Sequence, residues 1–215
     1  MSDLFRDKNV LIKICGITRE GDARYAADSG ADLLGFIFVE NTPRFIEPDA
    51  AGLISSVVQN AEYVGVFMNE SNGKVNGIAE QAGLSFVQLH GDESPDYCKQ
   101  MNRPVIKAFR IMPEMNEVDI YRLISPYKNC TEYILLDAWH PVAAGGTGHS
   151  FNWSTAEKLH QEFRIILAGG LKPENIRQAV EVVKPAGIDV SSGVEVSPGF
   201  KNHGKISQLI KSARS

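Results

Sequence analysis

Cys15, Asp137 and Asp189 close three short apolar runs of the chain. Gly169-Gly170 follows a fourth, and Ser191-Ser192-Gly193 follows directly on the run that holds Asp189. A thiol and a carboxyl group can both move protons. Each also has an ordinary use: a cysteine ending a strand is more often a small buried hydrophobe, and an aspartate there can cap a turn. The glycine turns say more. Without a Cβ the backbone can approach a ligand closely, and two such turns on neighbouring parallel strands, with a helix N-terminus, can aim their N–H groups at one phosphate. In an eight-stranded α/β barrel that position belongs to the last two strand-to-helix loops. The expectation is therefore an enzyme whose substrate carries a phosphate, with Gly169, Gly170, Ser192 and Gly193 holding it.

Other polar groups fall at corresponding places. Arg44 lies in the loop after the second apolar run, Gln88 and His90 end the fourth, and Lys107 and Arg110 flank the end of the fifth. Arg44 could equally pair with Glu40 or Glu47 as a solvated loop charge. His90 could be a hydrogen-bonded structural histidine, and Lys107 and Arg110 could steer an anion or balance nearby acids.

The elements that must position these residues follow from the pattern. Strand-length apolar runs occupy 10–15, 33–38, 63–67, 86–89, 105–109, 133–136, 165–168 and 188–190. Amphipathic segments suited to helices occupy 20–28, 48–58, 75–82, 93–101, 118–125, 153–160, 173–183 and 206–213, with Thr18 as cap of the first. Runs that are apolar throughout suit strands covered on both faces, as in parallel sheets. Eight strand-then-helix units predict a single-domain (β/α)8 barrel over residues 1–215; an open doubly wound sheet is the alternative, since counting does not show closure. In a barrel the carboxyl ends of the strands converge on one mouth.

Bulk properties narrow the function. The 215 residues suit one domain, and a net charge of −4 gives no basic field for nucleic acid or an anionic membrane. No apolar run is long enough to span a bilayer, and the first residues lack the pattern of a signal peptide, so a cytoplasmic protein is expected. Cys15, Cys98 and Cys130 have neither disulfide-framework nor zinc spacing and read as free thiols. His140, His160 and His203 likewise lack metal-ligand spacing.

The ordered set KICGIT (13–18), GADLLGFIF (30–38), TPRFI (42–46), VGVF (64–67), QLHGDES (88–94), LLDA (135–138), GGTGHSFNW (145–153), LAGGLKPENI (167–176) and DVSSGVEVSPGFKNH (189–203) resembles the phosphoribosylanthranilate isomerase family. The resemblance implies an Amadori rearrangement of N-(5′-phosphoribosyl)anthranilate to 1-(2-carboxyphenylamino)-1-deoxyribulose 5-phosphate in tryptophan biosynthesis, without cofactor or metal. By that likeness Asp137 is the general acid, Cys15 the base and Arg44 the partner of the anthranilate carboxylate. Gln88, His90 and Asp189 become ribose or anthranilate contacts, and Gly146 and Gly148 belong to a loop over the sugar or phosphate. Asn202, Asn152 and His149 depart from the usual pattern at peripheral positions. The family leaves a monomer or a homodimer open.

Two other readings are distinguishable. A different phosphate-binding barrel enzyme would rely on a lysine with glutamates, or on aspartates with a metal. A phosphosugar-binding module without turnover would tolerate loss of Cys15 and Asp137 but not of the Ser192-Gly193 turn.

Overall fold

The computed structural model describes residues 10–138 and 159–215. Eight parallel strands, β1 Leu11–Cys15, β2 Leu33–Ile37, β3 Glu62–Phe67, β4 Phe86–Leu89, β5 Val105–Ile111, β6 Tyr133–Ala138, β7 Ile165–Ala168 and β8 Gly187–Val190, form a closed barrel in chain order. Closure is visible at Lys13, which is in register with Leu33 of β2 on one side and Asp189 of β8 on the other. The open-sheet alternative is thereby excluded.

The near-continuous apolar runs have a simple cause. Side chains alternate across each strand, and both faces are buried. Leu11, Leu33, Val64, Ile106, Tyr133 and Ile166 pack inside the barrel. Ile12, Ile14, Leu34, Phe36, Val87, Leu136, Leu167 and Ile188 pack outward beneath the helices. Each such side chain contributes about 1.5–3 kcal/mol by leaving water, so a charge at Ile12 or Leu167 would break the barrel.

The helices are α1 Glu20–Asp28, α2 Pro48–Val57, α3 Asn72–Gln81, α4 Pro95–Cys98, α5 Glu117–Ile124, α6 Ile176–Val183 and α7 His203–Ala213. Several starts are fixed by side chains: Ser71, Ser94 and Asn202 each accept a bond from a first-turn N–H, and Asn116 forms a capping box with Asp119.

The structure corrects some sequence expectations. Thr18 does not cap α1; its hydroxyl donates to the Gly199 carbonyl at 2.6 Å and ties the end of β1 to a later hairpin. That hairpin, β9 Glu195–Ser197 with β10 Phe200–Lys201, was not expected at all. The expected helix at 93–101 shortens to α4, and the one at 173–183 starts only at Ile176, because the Asn175 side chain accepts from the Lys172 N–H and folds the preceding residues into a turn. Strand β5 runs on to Ile111, which places Arg110 inside it. Lys107 points outward and is buried, 3.2 Å from Glu93 and bonded to the carbonyls of Leu89 and Gly91; it balances an acid and takes no part in the mouth. The segment expected as a helix at 153–160 falls largely outside the described residues, and its described end is a 3₁₀ turn, Leu159–Gln161.

Candidate active site

Strand periodicity sets the inner wall. On β1 the inward residues are Leu11, Lys13 and Cys15; on β8 the inward Asp189 is followed, one residue past the strand end, by Ser191; on β6 they include Leu135 and Asp137. At the carboxyl end these positions open into a cavity of about 390 Å³. Cys15, Arg44, Gln88, His90, Asp137, Asp189, Gly169, Gly170, Ser192 and Gly193 all line it. Ten residues singled out in the sequence thus share one space, contributed by β1, β4, β6, β7 and β8, the loops that follow them and the loop after β2. Gly146 and Gly148 lie outside the described residues.

Cys15 is buried, and its neighbourhood is charged. Lys13 is 1% exposed and donates to Asp189 Oδ1 at 2.9 Å. A methyl group placed on Gly35 would lie 2.8 Å from Cys15 Sγ and 3.1 Å from Lys13 Nζ, so thiol and ammonium share the space above that glycine. Burial pushes the Cys15 thiol up; Lys13 pulls it back only in part, and Asp189 adds to the rise, leaving it above the ordinary cysteine range. Burial would lower Lys13, but Asp189 and Cys15 together outweigh this and hold it above the ordinary lysine value. A resting thiol beside a fixed ammonium is the outcome.

Arg44 reaches the same cavity from the loop after β2. Its partner is neither Glu40 nor Glu47. Glu195, at the start of β9, accepts from Nε at 2.9 and 3.2 Å and from Nη2 at 2.7 Å. Lys201 in turn donates to Glu195 Oε1 at 2.8 Å and also to the Cys15 carbonyl. Burial would raise the Glu195 carboxyl, but the bonds from Arg44 and Lys201 overrule it and hold it at about 2.

The opposite wall is more open. Asp137 and His90 are 30% and 28% exposed, with His90 Nε2 3.5 Å from Asp137 Oδ2. The Gln88 amide lies 3.1 Å from His90 Nδ1. Among the described residues, Gln88 Oε1 and Ser191 Oγ are buried and have no hydrogen-bond partner.

The glycine turns have the geometry a phosphate cradle needs. Gly169 and Gly170 adopt φ of +89° and +63°, a region that L side chains rarely enter. A Cβ on Gly193 would overlap the Leu171 carbonyl, so only glycine lets the turn after β8 press against the turn after β7. Among the described residues no group of three or more His, Cys, Asp or Glu could hold a metal ion.

The family model for N-(5'phosphoribosyl)anthranilate (PRA) isomerase matches residues 12–212. The chain belongs to the PRA isomerase family. It is 44% identical over 208 residues to the N-(5'-phosphoribosyl)anthranilate isomerase of Pelobacter propionicus, covering 95% of this chain and 96% of that one. The crystal structure of the Thermotoga maritima enzyme superposes with a TM-score of 0.85 at 42% identity, covering 95% and 98% of the two chains. A PRA isomerase crystallised with reduced 1-(o-carboxyphenylamino)-1-deoxyribulose 5-phosphate gives a TM-score of 0.83 at 40% identity, with the same coverage.

The family motifs contain Lys13, Ser191, Glu195 and Lys201, but neither they nor strand-end counting give these four neighbours of the site a role. Lys13 was findable, since it lies two residues before Cys15 and therefore on the same face of β1. Glu195 and Lys201 were not, because the hairpin that carries them has no apolar alternation to announce it.

Proposed function

We propose that this PRA isomerase converts N-(5′-phosphoribosyl)anthranilate to 1-(2-carboxyphenylamino)-1-deoxyribulose 5-phosphate in tryptophan biosynthesis, with Asp137 as general acid and Cys15 as general base. The observation that carries the assignment of roles is that the thiol and the carboxyl line one cavity together with the double glycine turn. A phosphate on the amides of Gly169, Gly170, Ser192 and Gly193 stretches the sugar across the mouth between the two groups. Asp137 gives its proton to the ribose ring oxygen. The C1′–O bond breaks, and the nitrogen lone pair forms the C1′=N iminium. Cys15 as thiolate then takes the C2′ proton; an S–H bond forms, the C–H electrons become the C1′=C2′ bond, and the nitrogen regains its pair. The resulting enolamine tautomerises to the ketone.

The working form carries a proton on Asp137 and none on Cys15. It has the same net charge as a resting thiol with a carboxylate, so it needs only a proton moved between them through solvent. Two features favour it. Lys13 stands beside the thiolate, and the iminium adds a second positive charge as soon as the ring opens. On the acid side, turning the Gln88 amide over would bring its unpartnered Oε1 to His90 Nδ1–H, freeing His90 Nε2 to accept from protonated Asp137. Ser191 Oγ and the Asp189 carboxylate offer the ribose hydroxyls further partners. Arg44 takes the anthranilate carboxylate with its unoccupied edge. Gly146 and Gly148 contribute to a loop over the sugar or phosphate.

No helix among the described residues is long and apolar enough to cross a membrane. A cytoplasmic protein of one barrel domain over residues 1–215, monomeric or homodimeric, without bound nucleic acid, fits this activity. The test is growth without tryptophan of a strain lacking its own isomerase. The chain restores growth and Cys15→Ala does not; restoration by Cys15→Ala at wild-type rate would end the assignment of the base.

A further inference from the structure

Five N–H bonds fan out from a guanidinium, enough for two carboxylates on two edges. In Arg44 one edge is already taken, since Nε and Nη2 both donate to Glu195. What remains is Nη1 with the second Nη2 proton. That is a single planar fork, and its direction is set by a carboxylate whose own side chain is only 4% exposed.

An arginine so paired would ordinarily be quenched as a binding group, because the ion pair is neutral. Here it is not. Lys201 Nζ lies 2.8 Å from Glu195 Oε1 and is fully buried, so Glu195 is shared between two cations. The trio of Arg44, Glu195 and Lys201 keeps one net positive charge, and Arg44, 23% exposed, is the member that lines the cavity. Glu195 is itself anchored: Oε1 also accepts from the Gly199 N–H at 3.3 Å, and Lys201 ties the cluster to the carbonyls of Cys15 and Ser191. The clamp is therefore built on the same backbone that carries the thiol.

We propose that Glu195 is a positioning residue that sets specificity for an aminoaldose bearing an aromatic carboxylate, by fixing which edge of Arg44 faces the substrate while Lys201 keeps that edge positively charged. The inference rests on the reading of Arg44 as the partner of the substrate carboxylate. Glu195 touches no reacting atom, and its effect is on binding of one substrate group.

The experiment compares two substrates, N-(5′-phosphoribosyl)anthranilate and its counterpart made from aniline, which lacks the carboxylate, in the wild type, Arg44→Ala and Glu195→Gln. Arg44→Ala should raise KM for the anthranilate substrate at least tenfold and leave the aniline substrate nearly unchanged; an equal effect on both would remove the carboxylate reading and this inference with it. Given that discrimination, Glu195→Gln should raise KM for the anthranilate substrate about tenfold, with kcat within about twofold, and leave the aniline substrate as in the wild type. Glu195→Asp, which keeps the charge on a shorter arm, should fall between. Equal losses on both substrates in Glu195→Gln, or a fall in kcat without a change in KM, would overturn the proposal while leaving Arg44 in its role. If Glu195→Gln fails to fold, Glu195→Asp decides by the same comparison. Failure of both to fold would make Glu195 a structural residue and overturn it.

Discussion

On the β1 and β8 wall of the cavity the charges are buried and paired: Lys13 with Asp189, and Glu195 with both Arg44 and Lys201. On the β4 and β6 wall, Asp137 and His90 are more than a quarter exposed and meet at 3.5 Å. The two walls face different demands. A buried thiol resists losing its proton, so the base side needs a permanent cation beside it. A carboxyl that must give up a proton and recover it in each turnover benefits from contact with solvent and from a neighbouring ring nitrogen that can donate or accept. Fixed electrostatics belong to one wall and proton exchange to the other.

The largest effects should come from removing the two reacting groups, and the walls should then respond differently to rescue. Cys15→Ala and Asp137→Ala should each lower kcat by about 10²–10⁴-fold, the usual worth of a general acid or base, while binding of a product analogue stays nearly intact. Small carboxylic acids added to the buffer should restore part of the turnover of Asp137→Ala, whose place is 30% exposed, and less of that of Cys15→Ala, whose place is buried. Equal rescue of both variants would show that the walls do not differ in access.

Next in size is the charge beside the thiol. Lys13→Met removes the ammonium that lowers the Cys15 pKa, so the pH profile for alkylation of Cys15 by iodoacetamide should move to higher pH, with turnover at pH 7 falling by about tenfold or more. Asp189→Asn removes a carboxylate that raises the thiol, and should move the alkylation profile the other way. Opposite signs would establish the charge coupling; shifts of the same sign would reduce both changes to altered packing. A smaller effect is expected on the open wall. His90→Ala should lower kcat a few-fold and leave the Cys15 alkylation profile in place. A moved profile would mean the walls are coupled after all.

The unequal legibility of the two walls has a physical origin. The eight strands and the residues at their ends could be read, though closure could not, because buried strands must be apolar on both faces, so a polar residue at the end of such a run stands out: Cys15, Gln88 and Asp137 did. Lys13 shares the Cys15 face of β1, but what makes it tolerable inside that apolar run, its register partner Asp189 on β8, lies 176 residues away. Glu195 was hidden. Its partners Arg44 and Lys201 lie 151 and six residues from it and are joined by the closure of the barrel and by a hairpin. Nothing local in the sequence distinguishes such a carboxylate from a solvated one. Family motifs located Arg44 but left its orientation open, and α1 has the expected bounds without the expected cap, because Thr18 bonds to the hairpin instead of to its own helix.

The smallest effect tests the pairing of the buried wall by acid stability. Glu195 has a folded pKa of about 2, below the ordinary glutamate value of about 4.3 that it regains when unfolded. A depressed carboxylate contributes stability that is complete above the unfolded value and is lost as pH falls through the folded one. Between those limits the unfolded chain binds the extra proton, so stability falls with pH by up to about 1.4 kcal/mol per unit from this group. Urea unfolding of the wild type and Glu195→Gln, at pH 5 and at pH 3, isolates the contribution as a double difference. The wild type should lose more on acidification than the variant. Equal losses in wild type and Glu195→Gln would mean that the carboxylate is not held by Arg44 and Lys201 in solution, and the buried, pre-paired wall would then be no more organised than the open one.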